Sequence, residues 1–263
     1  MAINDKDTKE LAGGYATASN TQQEAGAFLI ERLGISQGMR VLDVGCGPGN
    51  ITAQIADLVG ESGSVAGIDP SKERIAIALE INKPNLTFQQ GVAEDLSSFP
   101  TGTFDAVYVN STLHWVQDQP GAMKEFGRVL KSGGGLGISG GSGDFVAIHE
   151  KIKANVLSRD PYRSYPEQDP PKFLKRAELQ KLLDESGFHK ADIITRTIIK
   201  KADSAEAMIN WLDTSSSGKT YGGIPMELRP KARQEMIVEW NQYVTEQGIS
   251  MELEVLVTVA TKV

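Results

Sequence analysis

This chain of 263 residues is short of several things, and each shortage removes a class of function. It has one cysteine, Cys46, so no internal disulfide and no thiolate metal site can form. Its three histidines, His114, His149 and His189, lie far apart in sequence, and we expect no bound metal. Basic charge is outweighed: 27 Lys and Arg against 34 Asp and Glu leave a net charge of -7. That argues against nucleic acid or an anionic membrane surface as the main partner. The one mildly basic stretch, Lys172 to Lys181, reads as a solvated helix face. Long apolar runs are missing, since Val255 to Ala260 is too short to span a bilayer. The polar N-terminal stretch lacks the apolar core of a signal peptide. Together these point to a cytoplasmic protein in a reducing compartment, with a core large enough for one domain.

What is present centres on Val41-Leu42-Asp43-Val44-Gly45-Cys46-Gly47-Pro48-Gly49-Asn50. A short apolar strand runs into a glycine-dense turn. A helix from Ile51 to Val59 follows, with Ile51, Ile55, Leu58 and Val59 on one face. The glycines let the backbone approach a ligand closely, and the N–H groups of the first helical turn point at it.

In order along the chain, a first helix starts near Asn20 or Thr21 and ends at Gly34 to Gly38. Strands are expected at Arg40–Val44, Ser64–Asp69, Leu86–Gln89, Phe104–Val109 and Leu136–Ser139. Between them, Ser71 caps a helix over Lys72–Ile81, and another helix runs from Pro120 to Leu130 until Gly133-Gly134-Gly135. Later come helices at 145–157, 175–186, 204–212 and 226–247, and strands at 192–200 and 251–261. Loops at 159–171, with four prolines, and at 214–225 separate them. Apolar runs alternating with amphipathic helices signal a parallel sheet with helices on both faces. Ligands of such sheets sit outside the carboxyl ends of the strands. Here those ends carry Asp43 and Gly45, Asp69, Val92-Ala93, and Asn110 to Trp115.

Asp69 lies about twenty residues beyond the turn, where an acid takes the ribose hydroxyls of an adenosine cofactor. A nicotinamide dehydrogenase fits this far. Asp43 inside the first strand fits it less well. A buried carboxylate beside the turn favours a ligand with positive charge or N–H donors, since an unpaired one is costly.

With these residues in view, the sequence resembles the class I S-adenosylmethionine-dependent methyltransferases. The carrying segments are Val41 to Gly49, Gly-Ile-Asp-Pro-Ser at 67–71, Phe-Asp-Ala-Val-Tyr at 104–108 and Arg-Val-Leu-Lys-Ser-Gly-Gly at 128–134, in that family's order and spacing. Leu113-His114-Trp115-Val116 and Ala207 to Leu212 resemble the trans-aconitate and juvenile hormone acid methyltransferases, which esterify carboxylates. The segment Thr21 to Val59 is similar to ubiquinone-biosynthesis-type enzymes. The resemblance implies an α/β fold: a Rossmann-like, doubly wound, mostly parallel seven-stranded sheet with an antiparallel last strand and a helical lid insertion. It implies one methyltransferase domain over 1–263. Cap helices would occupy 1–38, the cofactor core 39–143, lid segments 144–186 and 201–248, and closing strands 187–200 and 249–263.

The resemblance also assigns roles, with S-adenosylmethionine as cofactor. The backbone from Gly45 through Cys46 and Gly47 to Gly49 would wrap its methionine portion, and Asp43 would hold the amino group directly or through water. Asp69 would take the ribose, with Pro70 and Ser71 beside the adenine. The Ala93 N–H would meet an adenine nitrogen, and Asn110, with Ser111 after it, would hold the amino group by a backbone carbonyl. Where the family often has Asp stands Val92, so Glu94, Asp95 or water must meet the adenine amino group. Tyr15 would close over the cofactor.

His114 is the expected catalytic residue, as a base switching near neutral pH or as a hydrogen-bond partner of a substrate carboxylate. Expected substrate contacts are His114, Trp115, Tyr162, Tyr165, Trp211 and Tyr221. Plain structural readings stand beside these. His114 is then a strand-end hydrogen bonder, Trp115 a core residue, Trp211 and Trp240 helix-packing residues, and the three tyrosines ordinary loop residues. His149 sits on a helix face and Cys46 fills space. The expected function is methyl transfer to a small molecule by a monomer or homodimer. Alternatives are a protein or nucleic-acid methyltransferase, and a non-methylating cofactor binder such as a cyclase or regulatory subunit.

Overall fold

The structure, a computed structural model, describes residues 20–216 and 219–263. Its strands are β1 (Arg40–Val44), β2 (Ser64–Asp69), β3 (Leu86–Gln90), β4 (Phe104–Asn110), β5 (Leu130–Gly141), β6 (Phe188–Ala202) and β7 (Ile249–Lys262). They form a seven-stranded sheet in the order β3-β2-β1-β4-β5-β7-β6. β1 to β5 run parallel, and β7 is antiparallel to both β5 and β6. The order reverses between β1 and β4, which opens the crevice where doubly wound sheets take ligands.

The helices are α1 (Asn20–Leu33), α2 (Asn50–Val59), α3 (Lys72–Ala78), α4 (Gln119–Val129), α5 (Ile148–Leu157), α6 (Arg176–Glu185), α7 (Ala205–Ser215) and α8 (Arg229–Asn241). Successive strand residues point to opposite faces of the sheet. Leu42, Val107 and Leu136 therefore pack with Met123 and Phe126 of α4 and Leu183 of α6. Val41, Ala106 and Tyr108 pack on the other face with Leu29 of α1 and Ile55 of α2. Gly26 lets α1 approach closely, because a Cβ there would lie 2.6 Å from the Tyr108 hydroxyl.

A third apolar cluster lies apart from these two. Ile152 of α5, Met208 and Trp211 of α7, Met236 and Trp240 of α8, and Ile249 and Met251 of β7 form it. It rests on an overhang. β5 pairs with β7 only from Gly135↔Thr261 to Gly141↔Val255, whereas β6 and β7 stay paired as far as Ala202↔Ile249. Thr197–Ala202 and Ile249–Glu254 thus project past the end of β5, and α7 and α8 connect their tips.

Several expected boundaries move, for local reasons. The helix after Ser71 stops at Ala78 rather than Ile81, because the Glu80 and Ile81 N–H groups bond three residues back, to Ile77 O and Ala78 O, in a tighter turn. β5 begins at Leu130, because Leu130 already pairs with Phe104 across an irregularity before the glycines join the ladder. The expected long helix over 226–247 is a 3-10 turn at Met226–Leu228 followed by α8, which has Pro230 in its first turn and ends at Asn241. No helix among the described residues is long and apolar enough to cross a membrane.

Candidate active site

The glycine turn after β1 needs glycine for two separate reasons. Gly45 has φ 78, and a Cβ there would fall 2.1 Å from Thr112 Oγ1 of the segment following β4. Gly49 has φ 87, and its Cβ would fall 2.7 Å from the Phe88 ring of β3. The turn is tied to β2, as the N–H groups of Gly45 and Cys46 both donate to Ile68 O, at 2.8 and 2.9 Å.

Asp69 closes β2 and organises its neighbours. Its Oδ2 accepts the Gly47 N–H and its Oδ1 the Ser71 N–H, each at 2.9 Å. Ser71 in turn caps α3 by accepting the Arg74 N–H at 3.2 Å. Asp43 is buried behind the turn and accepts the Thr52 hydroxyl of α2 at 2.7 Å. Burial raises its carboxyl; the Thr52 hydrogen bond opposes that and the charge of Asp69 adds to it, and the result is about 7. Burial, with the negative charges of Asp43 and Asp69, also pushes the Cys46 thiol well up, so Cys46 is no thiolate nucleophile.

A cavity of about 480 Å³ opens at the carboxyl ends of β1, β2, β4 and β5, where Gly45, Asp69, Asn110 and Gly141 reach it. A recess of about 30 Å³ continues behind the glycine turn between Asp43, Gly47, Asn50, Tyr108 and Gln23 of α1. Gly45 and Asn110 border both spaces. Next to them Ser111 takes φ 53, uncommon for a residue with a side chain, and its N–H donates to Ser139 O at 2.7 Å. The Asn110 carbonyl accepts the Thr112 hydroxyl at 2.9 Å.

The far half of the cavity is roofed by the third cluster, with Ile152, Trp211, Leu212, Met236 and Trp240 in its wall. A second wall comes from the 168–173 segment, held to the chain after β4. Lys172 N–H donates to His114 O at 2.7 Å, and Gln119 Nε2 donates to Leu113 O and Lys172 O, each at 3.0 Å. Phe173 stacks on the His114 ring, with centroids 4.7 Å apart. Burial, then the positive charge of Lys219, press His114 down to about 3, against a weak upward pull from Glu150. His114 is therefore neutral near pH 7, and the expectation of a base that switches at neutral pH does not hold for it. Glu150, on α5, sits 3.0 Å from His149 Nε2. Burial pushes Glu150 up, but the hydrogen bond from His149 and the charge of Lys153 outweigh it and hold the carboxyl below its ordinary value.

The cavity gathers Gly45, Asp69, Pro70, Asn110, Ser111, His114, Trp115 and Trp211 from the expected set, and the recess adds Asp43, Cys46 and Gly47. Ser71 caps α3 as expected, Gly49 packs on Phe88, and Ala93, whose N–H is the expected contact, turns its side chain into the core. Val92, Glu94 and Asp95 do not line the cavity, and Asp95 accepts the Ser97 N–H at 3.0 Å. The three tyrosines depart from the expected substrate contacts. Tyr162 is buried and donates to Glu235 at 2.8 Å, Tyr221 donates to Asp213 at 2.9 Å, and Tyr165 is exposed away from the cavity wall. Tyr15 lies outside the described residues.

Residues that the sequence did not single out also line this space: Arg74, Thr112, Phe145, Phe173, Lys153 and Lys219. His149, read as a helix-face residue, and Trp240, read as packing, reach the wall as well.

A methyltransferase-domain family model matches residues 35–197. The O-methyltransferase cnsE of Penicillium expansum is 31% identical over 201 residues, covering 70% of this chain and 68% of that protein. The trans-aconitate 2-methyltransferase of Deinococcus radiodurans is 34% identical over 117 residues, which is 44% of this chain and only 43% of that protein. The solved structure of the YcgJ protein from Bacillus subtilis superposes with a TM-score of 0.65 over 91% of this chain and 98% of that one; at 19% identity this is a likeness of fold. The chain belongs to the methyltransferase-domain family and is an S-adenosylmethionine-dependent methyltransferase.

Proposed function

We propose that this enzyme methylates the carboxylate of a small apolar acid, with S-adenosylmethionine bound along the glycine turn. The donor set suits that cofactor. A buried acid behind the turn and a second at the end of β2 would meet an ammonium group and a ribose. Asp43 and the Asn110 carbonyl would hold the amino group, the backbone of Gly45 to Gly47 the methionine portion, and Asp69 with Pro70 the nucleoside. The cofactor supplies a methyl group already activated on a sulfonium.

The acceptor class is supported by the setting of His114, whose ring is stacked on Phe173 at the cavity wall and held by that burial far below its usual range. A phenol or ammonium acceptor needs a proton removed, and a group held near 3 is a poor base for it. A carboxylate is already ionised at pH 7. The acceptor oxygen forms its bond to the methyl carbon as the sulfur–carbon bond breaks, the two opposite charges cancel, and no proton moves. The chain's task is then alignment and exclusion of water, which suits a roofed, largely apolar chamber. In this reading α5, α7 and α8 act as the lid of one methyltransferase domain working in the cytoplasm.

Calorimetric titration with S-adenosylmethionine and, separately, with NADH tests the cofactor; binding of the first alone is expected, and binding of NADH instead overturns the reading. A panel of labelled-methyl assays on acids, phenols and amines tests the acceptor. Turnover on phenols or amines with none on acids removes the carboxylate assignment and leaves the methyltransferase.

A further inference from the structure

The charged groups of the chamber are unevenly placed. On the α5 side, Glu150 is met by His149, and Lys153 Nζ donates to Glu167 at 2.8 Å and to Lys219 O at 3.2 Å. The second of those bonds anchors the 3-10 turn Lys219–Tyr221 to α5. The side chain of Lys219 then reaches across to the other wall, where its Nζ stands 4.6 Å from the centroid of the Trp115 ring. His114 is the neighbour of Trp115, its ring 4.9 Å from the indole, and it feels the Lys219 charge. One ammonium, one indole face and one uncharged imidazole therefore meet at a single point of the wall. That point lies along the chain that leads back through Thr112 and Ser111 to the glycine turn.

An ammonium half-buried against an aromatic face has lost part of its hydration, and a carboxylate that reaches it supplies a charge-assisted hydrogen bond in place of that water. We propose that Lys219 is the specificity-determining residue for the acceptor. It binds the carboxylate, Trp115 fixes the direction of the ammonium, and the apolar body of the acid lies against Trp211, Leu212 and Trp240. The proposal rests on the carboxylate reading and adds the group that selects for it. Neither the glycine motif nor the resemblance points to Lys219, because it sits on a turn with no sequence signature.

The test uses the full chain, its Lys219→Gln and Lys219→Arg variants, and phenylacetate, cinnamate and decanoate as probes, each beside its amide. Methyl transfer is followed at varied acid concentration, and S-adenosylmethionine affinity is measured calorimetrically on the same preparations. Lys219→Gln should raise KM for the acids tenfold or more, change kcat far less, and leave cofactor affinity within twofold. Lys219→Arg should recover most of the loss, which a merely structural role would not predict. Acids turned over by Lys219→Gln with KM within twofold of the parent overturn the role of Lys219 and leave the carboxylate reading standing. A parent enzyme that binds S-adenosylmethionine but methylates none of the acids overturns both.

Discussion

The N–H of Gly47 and the carboxylate of Asp69 meet at 2.9 Å, so the acid that closes β2 also holds the turn that follows β1. Asp69 therefore has two duties, one toward the ribose of the proposed cofactor and one toward its own backbone. Asp69→Ala is expected to weaken S-adenosylmethionine binding at least tenfold. Hydrogen bonds to a charged group are worth about 1.5–3 kcal/mol each. The variant should also lower the thermal midpoint of the ligand-free protein, since the Gly47 and Ser71 amides lose their acceptor. Calorimetry and a melting curve separate the two duties; unchanged affinity rejects the assignment of Asp69 to the cofactor.

Asp43 makes the ligand-free protein pay for its site in a pH-dependent way. Its carboxyl has an ordinary value of 3.8 and a folded value of about 7. Below the first, it is protonated whether the chain is folded or not, and costs nothing. Between the two, the unfolded chain releases the proton and the folded chain keeps it, so stability falls as pH rises. Above the second the loss is complete, on the order of 4 kcal/mol. Asp43→Asn keeps an oxygen for the Thr52 hydroxyl and removes the charge. Urea midpoints should show it more stable than the parent near pH 8, with the gap closing toward pH 4, and it should bind S-adenosylmethionine less tightly. A gap of equal size at every pH would mean that Asp43 ionises normally.

His114 is held near 3, so the rate of methyl transfer should carry no titration of His114 between about pH 6 and 8. His114→Ala should leave cofactor affinity nearly intact and cut turnover, without changing the shape of that profile. An inflection near pH 6.5 in the parent that the variant lacks would restore His114 as a titrating base.

The sheet and the cofactor edge were legible because their residues are close in sequence and chemically unusual. Strand, glycine turn and helix start occupy 41–51 without interruption, and Asp69 and Asn110 each end a strand. The second duty of Asp69 was hidden, since Gly47 is 22 residues away and backbone amides carry no sequence mark. The far half of the cavity was legible only in part. His114, Trp115 and Trp211 were found as unusual side chains, but so were Tyr162 and Tyr221, which turned inward to Glu235 and Asp213. An aromatic residue with a polar tip fits a cavity wall and a buried hydrogen bond equally well, and only packing decides. Lys219, Phe173 and Glu150 come from three segments that the fold alone brings together. The neutrality of His114 depends on burial and then on Lys219, so it could not be read from its own position.

The roof of the chamber is a cantilever. Thr197–Ala202 and Ile249–Glu254 continue strands whose other ends are bonded into the main sheet, and they carry the third cluster at their free end. Swinging that roof aside as a rigid flap would mean tearing ladder bonds at the sheet's own edge. Traffic into the chamber is then left to the 168–173 segment, a side door fastened to the chain after β4 by a few bonds to carbonyls. Amide exchange should be slow along both projecting strands and fast in that segment, with bound acceptor slowing the latter. The size of acceptor that the enzyme admits would accordingly be set by the door, while the beam above it would fix the shape of what can stay.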